Sequence, residues 1–359
     1  MESSKIGYYH PELDALRFFA ATAVFLGHWL PADRRFVTLL TGSGIYGVDL
    51  FFALSSFLIT NLLLQEREAF GGIDLRAFYI RRILRIWPLY FFFIGIAYAL
   101  TFFSHAQQLA KSYVIGMLLL YGNWVFVTHG LAKWVANPLW SICVEEQFYV
   151  CWSIAMRRLA EKWLTKIAVG MLLVGFLTRL FLAPFTSSGY TLWFNTFVRL
   201  DPFALGILMC VWLKKRPAAW GLAARICMGV LGSLCWVAVT KYAYLLDSPQ
   251  LSVWRVTIGY SIVSAGSCAM LLAVYDAPKV GIAFLANKNL AYLGKLSYGI
   301  YVYHALVQAV AAQLLMRRVI WGPTSFVFTI AIAAISYRFL EKPFLDLKSK
   351  FELVKSRPA

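Results

Sequence analysis

The chain has 359 residues, of which 60% are hydrophobic and 14% are charged, and its mean hydropathy is +0.67. This balance excludes an ordinary soluble globular domain. The formal net charge is +17, but lysine and arginine gather at the ends of apolar runs, as membrane topology and anionic lipids require. The charge therefore predicts contact with a lipid bilayer, and no nucleic-acid partner.

Repeated apolar segments are long enough to cross hydrocarbon, and no linker rich in glycine, serine or proline separates them. We count eleven candidates, near residues 12–31, 44–65, 87–104, 112–128, 139–156, 165–185, 193–213, 220–240, 254–275, 290–315 and 320–340. They predict an all-α polytopic membrane helical bundle. We expect one domain over residues 1–346 and a short basic tail over 347–359.

The orientation follows from the basic connections. Arginine and lysine cluster at residues 66–85, 157–166 and 214–216 and in the tail, so all four regions should be cytoplasmic. The first residues have no basic region and no small-residue cleavage site, which predicts a retained first helix and no signal peptide. We therefore expect a multi-pass protein of the cytoplasmic (inner) membrane with both termini cytoplasmic.

One candidate segment conflicts with this topology. Three segments lie between the basic regions at Arg85 and Arg157, where an even number of crossings is needed. The best candidate for a non-spanning segment is LLLYGNWVFVTHG, because it is short and interrupted by Gly122 and Asn123. The prediction is about ten transmembrane helices plus one partial or re-entrant segment.

The first segment, PELDALRFFAATAVFLGHWLP, carries Arg17 and His28. Eleven helical residues rise about 16 Å, so the two side chains share one face at different depths. A charged group inside a bilayer costs about 2.5 kcal/mol or more, and it usually marks a pathway or a site. The alternative is that Arg17 snorkels to the headgroups while His28 lies in the far interface.

The topology places the arginines and the acids at opposite depths. Arg82 and Arg85 share a helical face on the cytoplasmic side of the membrane, and Arg17 is predicted on the same side. Guanidinium groups suit a phosphate-bearing ligand. The alternative is a positive-inside anchor, which a stretch such as RRILR alone is more often than a ligand site. Glu145 and Glu146 should lie within the outer half of the membrane.

The outer group would surround a histidine with carboxylates. His28 beside Glu145, Glu146 or Asp49 could remove a proton from a hydroxyl, because a carboxylate fixes the tautomer of the ring and raises its basicity. Asp49 has an alternative role, which is to neutralise Arg17 or another buried cation. His304 stands among aromatic residues, where a packed, hydrogen-bonded role is the alternative to function.

The remaining ionisable residues give weaker signals. His10, His105 and His129 are predicted in loops. The six cysteines fall inside predicted spans without ligand spacing and are predicted to pack in the core, so no metal site is expected. They are Cys143, Cys151, Cys210, Cys227, Cys235 and Cys268.

Six stretches, in this order, resemble the acyltransferase-3 family of polytopic membrane enzymes over nearly the whole chain. They are LDALRFFAATAVFLGHW, GVDLFFALSSFLIT, FYIRRILRIWPLY, LWSICVEEQFY, LGKLSYGIYVYH and YRFLEKPF. Two residues depart from the family pattern. Ser56 stands where glycine is usual, and Cys143 stands where serine is common, so these changes should affect packing more than chemistry.

The resemblance implies an O-acyltransferase that moves an acetyl (acyl) group from acetyl-CoA to a hydroxyl of a glycan or a lipid-linked sugar. Acetyl-CoA would be a co-substrate, with no permanently bound cofactor. By position, His28 is the catalytic histidine and Arg17 its motif partner, while Arg82 and Arg85 lie near the CoA phosphates. Whether the acceptor attacks directly or through an acetyl-His28 intermediate stays open.

Further roles are implied less specifically. Glu145 and Glu146 match the family's acidic pair, which would act in catalysis by binding the acceptor or orienting His28, or would support the fold. Substrate binding or structural support is expected of Asp49, Trp140, Ser141, Tyr303 and His304. The soluble SGNH-type domain that some members append is not in this sequence, so the membrane domain or a separate protein would complete the transfer.

A secondary transporter or exporter of an anionic or glycan substrate is the alternative function, because it too places ionisable residues within spans. We find no pair of corresponding interrupted segments in the two halves, which argues against it. A catalytically silent scaffold for lipid or polysaccharide is a third interpretation, and six retained motifs argue against that.

Overall fold

The computed structural model describes residues 9–29, 35–103, 109–186, 188–216, 219–243, 245–246, 252–277, 283–314 and 318–352. Within these ranges the chain forms helices and turns and no strand. The all-α prediction is confirmed. Residues 353–359 of the predicted basic tail lie outside the described ranges.

The described residues form fifteen α-helices joined by short connections. They are α1 (Pro11–His28), α2 (Arg35–Ser43), α3 (Gly47–Phe70), α4 (Leu75–Phe103), α5 (Lys111–Leu118), α6 (Gly122–His129), α7 (Trp140–Arg158), α8 (Leu164–Leu182), α9 (Gly189–Phe194), α10 (Leu200–Lys215), α11 (Leu222–Tyr242), α12 (Val253–Val274), α13 (Lys288–Leu314), α14 (Arg318–Ser336) and α15 (Lys342–Lys348). A π-helical turn, Tyr337–Glu341, joins α14 to α15.

Six helices of the described chain are long and apolar enough to cross a membrane. They span Leu39–Phe70, Leu75–Phe102, Glu161–Phe185, Leu222–Tyr242, Val253–Val274 and Gly322–Phe351. An apolar helix must be about this long to cross a bilayer core about 30 Å thick. The chain is therefore a helical integral membrane protein, and the total of about ten spans stays a prediction.

The segment predicted to be interrupted is broken into two short helices, α5 and α6. Each has eight residues, or about 12 Å of rise, which is too short to span hydrocarbon. The Tyr113 hydroxyl at the start of α5 donates to the carbonyls of His129 and Gly130 at the end of α6, at 3.2 and 3.1 Å. The two helices therefore fold back as a hairpin, and the break lies at residues 119–121, just before the predicted one.

Two arginines that the sequence analysis missed form buried ion pairs between helices. Arg199 donates to Asp49 at 2.7 Å, joining the start of α10 to the start of α3. Arg179 of α8 makes a bidentate contact with Asp201 of α10, at 3.0 and 2.8 Å. The structure shows the alternative role considered for Asp49, which is pairing with a buried cation, and the cation is Arg199.

The two departures from the family pattern are both packed in the interior. Ser56 is fully buried and lies against Gly206 of α10, while the Cys143 sulfur lies 3.4 Å from the Tyr90 hydroxyl. The prediction that all cysteines are core residues is wrong for Cys151 and Cys227. Both are exposed on the outer faces of their helices, since helical periodicity turns some positions of a spanning helix away from the bundle.

The contact between α3 and α10 has no room for a side chain at Gly206. An added methyl group would meet the Ser56 hydroxyl and the Ala53 carbonyl oxygen. We expect Gly206→Ala to lower the free energy of unfolding by about 1–3 kcal/mol, because the helices must separate. Thermal unfolding in detergent measures this.

Gly170 provides the matched control, because it lies within α8 with no atom near enough to meet a new methyl group. Gly170→Ala should be neutral or stabilising by up to about 1 kcal/mol through helix propensity. Equal unfolding temperatures for the two variants would contradict the close approach of α3 and α10.

Candidate active site

Two cavities lie along α1, one near each end of the helix. We call the first, of about 150 Å³, the arginine chamber; the charged groups in its wall are Asp14, Arg17, Arg82, Arg85 and Glu145, with His10 at its edge. We call the second, of about 820 Å³, the histidine chamber; it is lined by His28 and by a ring of aromatic residues. The helix face of α1 that carries Arg17 and His28 therefore places Arg17 in the wall of the first cavity and His28 in the wall of the second.

The arginine chamber pairs some of its charges internally. Arg17 donates to Asp14 one helical turn earlier at 2.9 Å. The Ser55 hydroxyl of α3 donates to the Glu145 carboxylate at 2.8 Å. Both carboxylates are thereby held against the wall, and the chamber as a whole keeps more positive than negative groups.

Arg82 is the cation best placed for a ligand. Its guanidinium stacks over the rings of Phe78 and Tyr149, with centroid distances of 5.6 and 5.5 Å. Among the described residues it makes no ion pair, and its buried Nε has no hydrogen-bond acceptor. A guanidinium that is oriented by aromatic faces and lacks a carboxylate is suited to an incoming anion.

The prediction that the acidic pair lies beside His28 is wrong. Helix α7 begins at Trp140, which lines the histidine chamber, whereas Ser141 and Glu145 share another face at i, i+4 spacing and line the arginine chamber. Glu145 lies about 8 Å below the start of the helix, at the level of Ser55. Glu146 is buried and lies outside the walls of both chambers.

His28 has its tautomer fixed by the backbone. Its Nδ1 lies 2.9 Å from the carbonyl oxygen of Val24, one turn earlier in α1. Because a carbonyl only accepts, Nδ1 carries the proton and Nε2 carries the lone pair. The side chain is exposed to the histidine chamber, so His28 presents a base to whatever occupies that space.

Tyr301 and Val48 line both chambers and so form the partition between them. The Tyr301 hydroxyl donates to the Pro138 carbonyl at 2.5 Å and lies 2.6 Å from the Ser141 hydroxyl. The sequence analysis did not single out Tyr301. Its i−3 spacing from His304 on one face of α13 was the available signal.

Two further predicted residues of α13 have separate environments. The Tyr303 hydroxyl donates to Ser336 at 3.2 Å and its ring packs on Phe93, so Tyr303 supports the packing against α14 and lines neither chamber. His304 is buried with its ring centroid 4.8 Å from that of His28. Among the described residues, the structure therefore brings His304, and not a carboxylate, to His28.

The wall of the histidine chamber is mainly aromatic. Its rings belong to Tyr46, Trp134, Trp140, Tyr190, Trp193, Phe194 and Tyr301. Behind them, the Arg199 guanidinium lies 4.1 Å from the centroid of Trp193 and 5.8 Å from that of Trp140. Arg199 thereby holds two rings of the wall in place by cation–π contact.

A group of potential metal ligands lies near the start of α1, where spacing along the chain gave no signal. His10, Glu12 and Asp276 come together there. His10 and Glu12 are 2.7 Å apart, and the Asp276 backbone N–H donates to Glu12 at 3.1 Å. These contacts already use the Glu12 carboxylate to tie the end of α12 to α1, so the group has a structural role without an ion.

Comparison with known proteins identifies the family of the chain. A family model described as an acyltransferase domain matches residues 10–338, which is most of the chain and includes both chambers. The chain belongs to the acyltransferase-3 family. The family match includes all the motif residues that line the chambers, from Arg17 and His28 on α1 to Tyr301 on α13.

Curated relatives of this acyltransferase-3 protein include proteins of Staphylococcus aureus. O-acetyltransferase OatA of strain NCTC 8325 is 27% identical over 361 residues, which cover 93% of this chain and 57% of OatA. A provisionally named O-acetyltransferase of strain MSSA476 is 25% identical over 358 residues, covering 94% of this chain and 57% of that protein. The chain therefore spans a little over half of the relatives it matches. No solved structure matches it significantly.

Proposed function

We propose that this chain is a membrane O-acetyltransferase that receives acetyl-CoA in the arginine chamber and a glycan hydroxyl in the histidine chamber. One observation carries the proposal, which is that the two chambers share the wall formed by Tyr301 and Val48. A donor and an acceptor entering from opposite ends would meet at this partition. The proposal extends to the orientation, with the arginine chamber open to the cytoplasm and the protein in the cytoplasmic membrane.

The donor site is argued from charge. Coenzyme A carries phosphates at one end and its thioester at the other, and Arg82 and Arg85 suit the phosphates because guanidinium groups bind phosphate oxygens bidentately. Arg17 lies about 16 Å of helix rise from His28. An extended pantetheine arm reaches over a similar length, so the thioester would approach the partition while the phosphates stay with the arginines.

The acceptor site is argued from the wall. The histidine chamber is large enough for a sugar residue, and its indole and phenol rings offer apolar faces beside a few polar groups, which is typical of ligand pockets. His28 lines this space, and its Nε2 is the ring nitrogen that the Val24 carbonyl leaves free to act as a base. A glycan or a lipid-linked sugar with a free hydroxyl is the acceptor that we propose.

The reaction balances without a metal or a redox partner. His28 Nε2 takes the proton of the acceptor hydroxyl as its oxygen attacks the thioester carbonyl carbon, and a C–O bond forms. The C–S bond then breaks and the sulfur keeps the electron pair. The proton on His28 passes to that sulfur, and CoA leaves as the free thiol. Direct attack needs only one base on the acceptor side, and His28, which lines the histidine chamber, supports that assignment.

Replacing Arg82 tests the donor site. We expect Arg82→Gln to weaken binding of radiolabelled acetyl-CoA by about 10-fold to 100-fold, because charge-assisted hydrogen bonds to phosphate contribute about 1.5–3 kcal/mol. Arg76→Gln is the matched control, since Arg76 is exposed on the same helix and lies outside the chamber. Equal affinities for the two variants would remove Arg82 from the donor site.

A further inference from the structure

Gln147 follows the two acids of α7 and has a separate environment. An α-helix turns by roughly 100° per residue, so Gln147 and Glu145 point to different sides of the helix. Glu145 lines the arginine chamber, whereas Gln147 lines neither chamber. The Gln147 amide instead binds groups of α6 and of the connection that follows α9.

A closed circuit of hydrogen bonds, which we call the amide network, joins Gln147, Asn123 and Thr196. The Gln147 amide nitrogen donates to the Asn123 side-chain oxygen at 2.9 Å, and the Asn123 amide nitrogen donates to the Thr196 hydroxyl at 2.9 Å. The Thr196 hydroxyl donates back to the Gln147 side-chain oxygen at 2.7 Å. Each group thus both donates and accepts, and a satisfied circuit of this kind fixes one arrangement of its members.

The second N–H of each amide holds a backbone carbonyl where a helix is interrupted. Gln147 donates to the carbonyl of Leu120, at the break between α5 and α6, at 3.1 Å. Asn123 donates to the carbonyl of Phe194, the last residue of α9, at 3.1 Å. Irregular backbone in a membrane protein needs such partners, because lipid offers none. The amide network therefore fixes the hairpin of α5 and α6 against the end of α9.

Phe194 connects the amide network to the histidine chamber. Its ring lines the chamber, as do those of Trp140 and Tyr190, which it contacts at centroid distances of 5.1 and 6.0 Å. The carbonyl of the same residue is the one that Asn123 holds. A shift of this backbone would therefore move a ring in the wall of the chamber.

We propose that Gln147 is a positioning residue for the acceptor, which it serves by holding Phe194 in the wall of the histidine chamber through the amide network. A glycan that packs against aromatic faces needs those faces at a fixed spacing. Neighbouring residues of α7 would then serve different substrates, with Glu145 on the donor side and Gln147 on the acceptor side. This role rests on the proposed acetyl transfer.

Steady-state kinetics separate the acceptor from the donor. Gln147→Leu keeps a side chain of similar size and leaves the carbonyl of Leu120 and the side-chain oxygen of Asn123 unpaired. We expect the KM for a cell-envelope glycan extract to rise about 10-fold, the change that corresponds to one lost hydrogen bond. The affinity for acetyl-CoA and kcat at saturating extract should stay within about 3-fold of the wild type. Lower acetyl-CoA affinity with an unchanged KM for the extract would overturn the proposal.

Thr196 supplies a milder pair of variants that differ in the hydroxyl. Thr196→Val keeps the shape and removes the hydroxyl that closes the amide network, so the KM for the extract should rise as in Gln147→Leu. Thr196→Ser keeps the hydroxyl, and its KM should match the wild type. Equal KM values for the valine and serine variants would overturn the role of the amide network.

Gln308 is the matched control for the loss of a buried glutamine. It is buried in α13, donates to the Phe25 carbonyl at 2.9 Å, and lines neither chamber. Gln308→Leu should leave the KM for the extract within about 3-fold of the wild type. A rise equal to that of Gln147→Leu would assign the effect to general packing and overturn the proposal.

A measurement without turnover distinguishes this proposal from the proposed function. Hydrogen–deuterium exchange of the detergent-solubilised protein, read by mass spectrometry, should be faster at residues 119–123 and 194–198 in Gln147→Leu than in Gln308→Leu. Unchanged exchange at both segments would overturn the positioning role, even in a protein that transfers acetyl groups. A wild-type protein that releases no CoA with the extract would instead overturn the proposed function, and the acceptor role of Gln147 with it.

Discussion

His28→Gln should lower the release of CoA that depends on a glycan acceptor by about 10³-fold, the middle of the range for losing a general base. The substitution removes the lone pair at Nε2 and keeps a side chain of similar length. The arginine chamber is unaffected, so acetyl-CoA should bind with wild-type affinity. Loss of turnover with intact donor binding is the expected signature.

The measurement is the steady-state rate of CoA release by purified protein, with and without a cell-envelope glycan extract. His129→Gln is the control, because His129 is exposed at the end of α6 and lines neither chamber. It should turn over at the wild-type rate. If His28→Gln matched that rate, His28 would not be the base, and the assignment of the histidine chamber as the acceptor site would fall with it.

Arg199→Met should have the largest effect on stability. The substitution leaves the Asp49 carboxylate buried without its cation, since the two groups are 1% exposed or less and lie 2.7 Å apart. Breaking a buried pair on one side costs about 3–5 kcal/mol. It also removes the cation from behind Trp193 and Trp140, so the wall of the histidine chamber should loosen as well.

A double variant tests whether the uncompensated charge is the cause. Asp49→Leu combined with Arg199→Met replaces the pair by apolar groups and should recover most of the lost unfolding temperature, because removing both charges removes the desolvation cost. Lys342→Met is the control for an exposed pair, as Lys342 and Asp346 are 56% and 64% exposed. It should change stability by less than about 1 kcal/mol. A double variant as unstable as Arg199→Met would contradict this account.

Hydropathy and breaker residues predicted most of the fold. Each of the eleven apolar segments overlaps a helix of the structure, and Gly122 marked the break in the fourth segment to within three residues. These features depend on local sequence, through span length and backbone conformation. The turn itself is made by Leu120, whose φ is +59°, and no local signal marks a leucine for that conformation.

The contents of the site were predicted better than its arrangement. Arg17 and His28 share a stripe because helix geometry fixes their relation. The neighbours of His28 depend on how distant helices pack. Glu145 was expected beside it, whereas His304, 276 positions further along the chain, is there instead. The packing of α7 against α3, which brings Glu145 to Ser55, decided this, and an isolated helix sequence does not specify that packing.

The buried arginines show the same limit of prediction from sequence. Arg179 and Arg199 lie in predicted spans, where a charge is a signal in itself, but their partners could not be read from the sequence. Asp49 precedes Arg199 by 150 residues. An arginine inside a span therefore indicated that a carboxylate must be near, and only the tertiary structure identified which one.

Sidedness is the most direct test of the central claim, which is that donor and acceptor enter opposite chambers and react across one partition. We would reconstitute the wild-type protein into liposomes, trap the glycan extract inside, add radiolabelled acetyl-CoA outside only, and use His28→Gln vesicles to correct for leakage. The account predicts acetylated glycan in the vesicle interior with the wild type alone. Acetylation only when acetyl-CoA and glycan share one side of the membrane would contradict it.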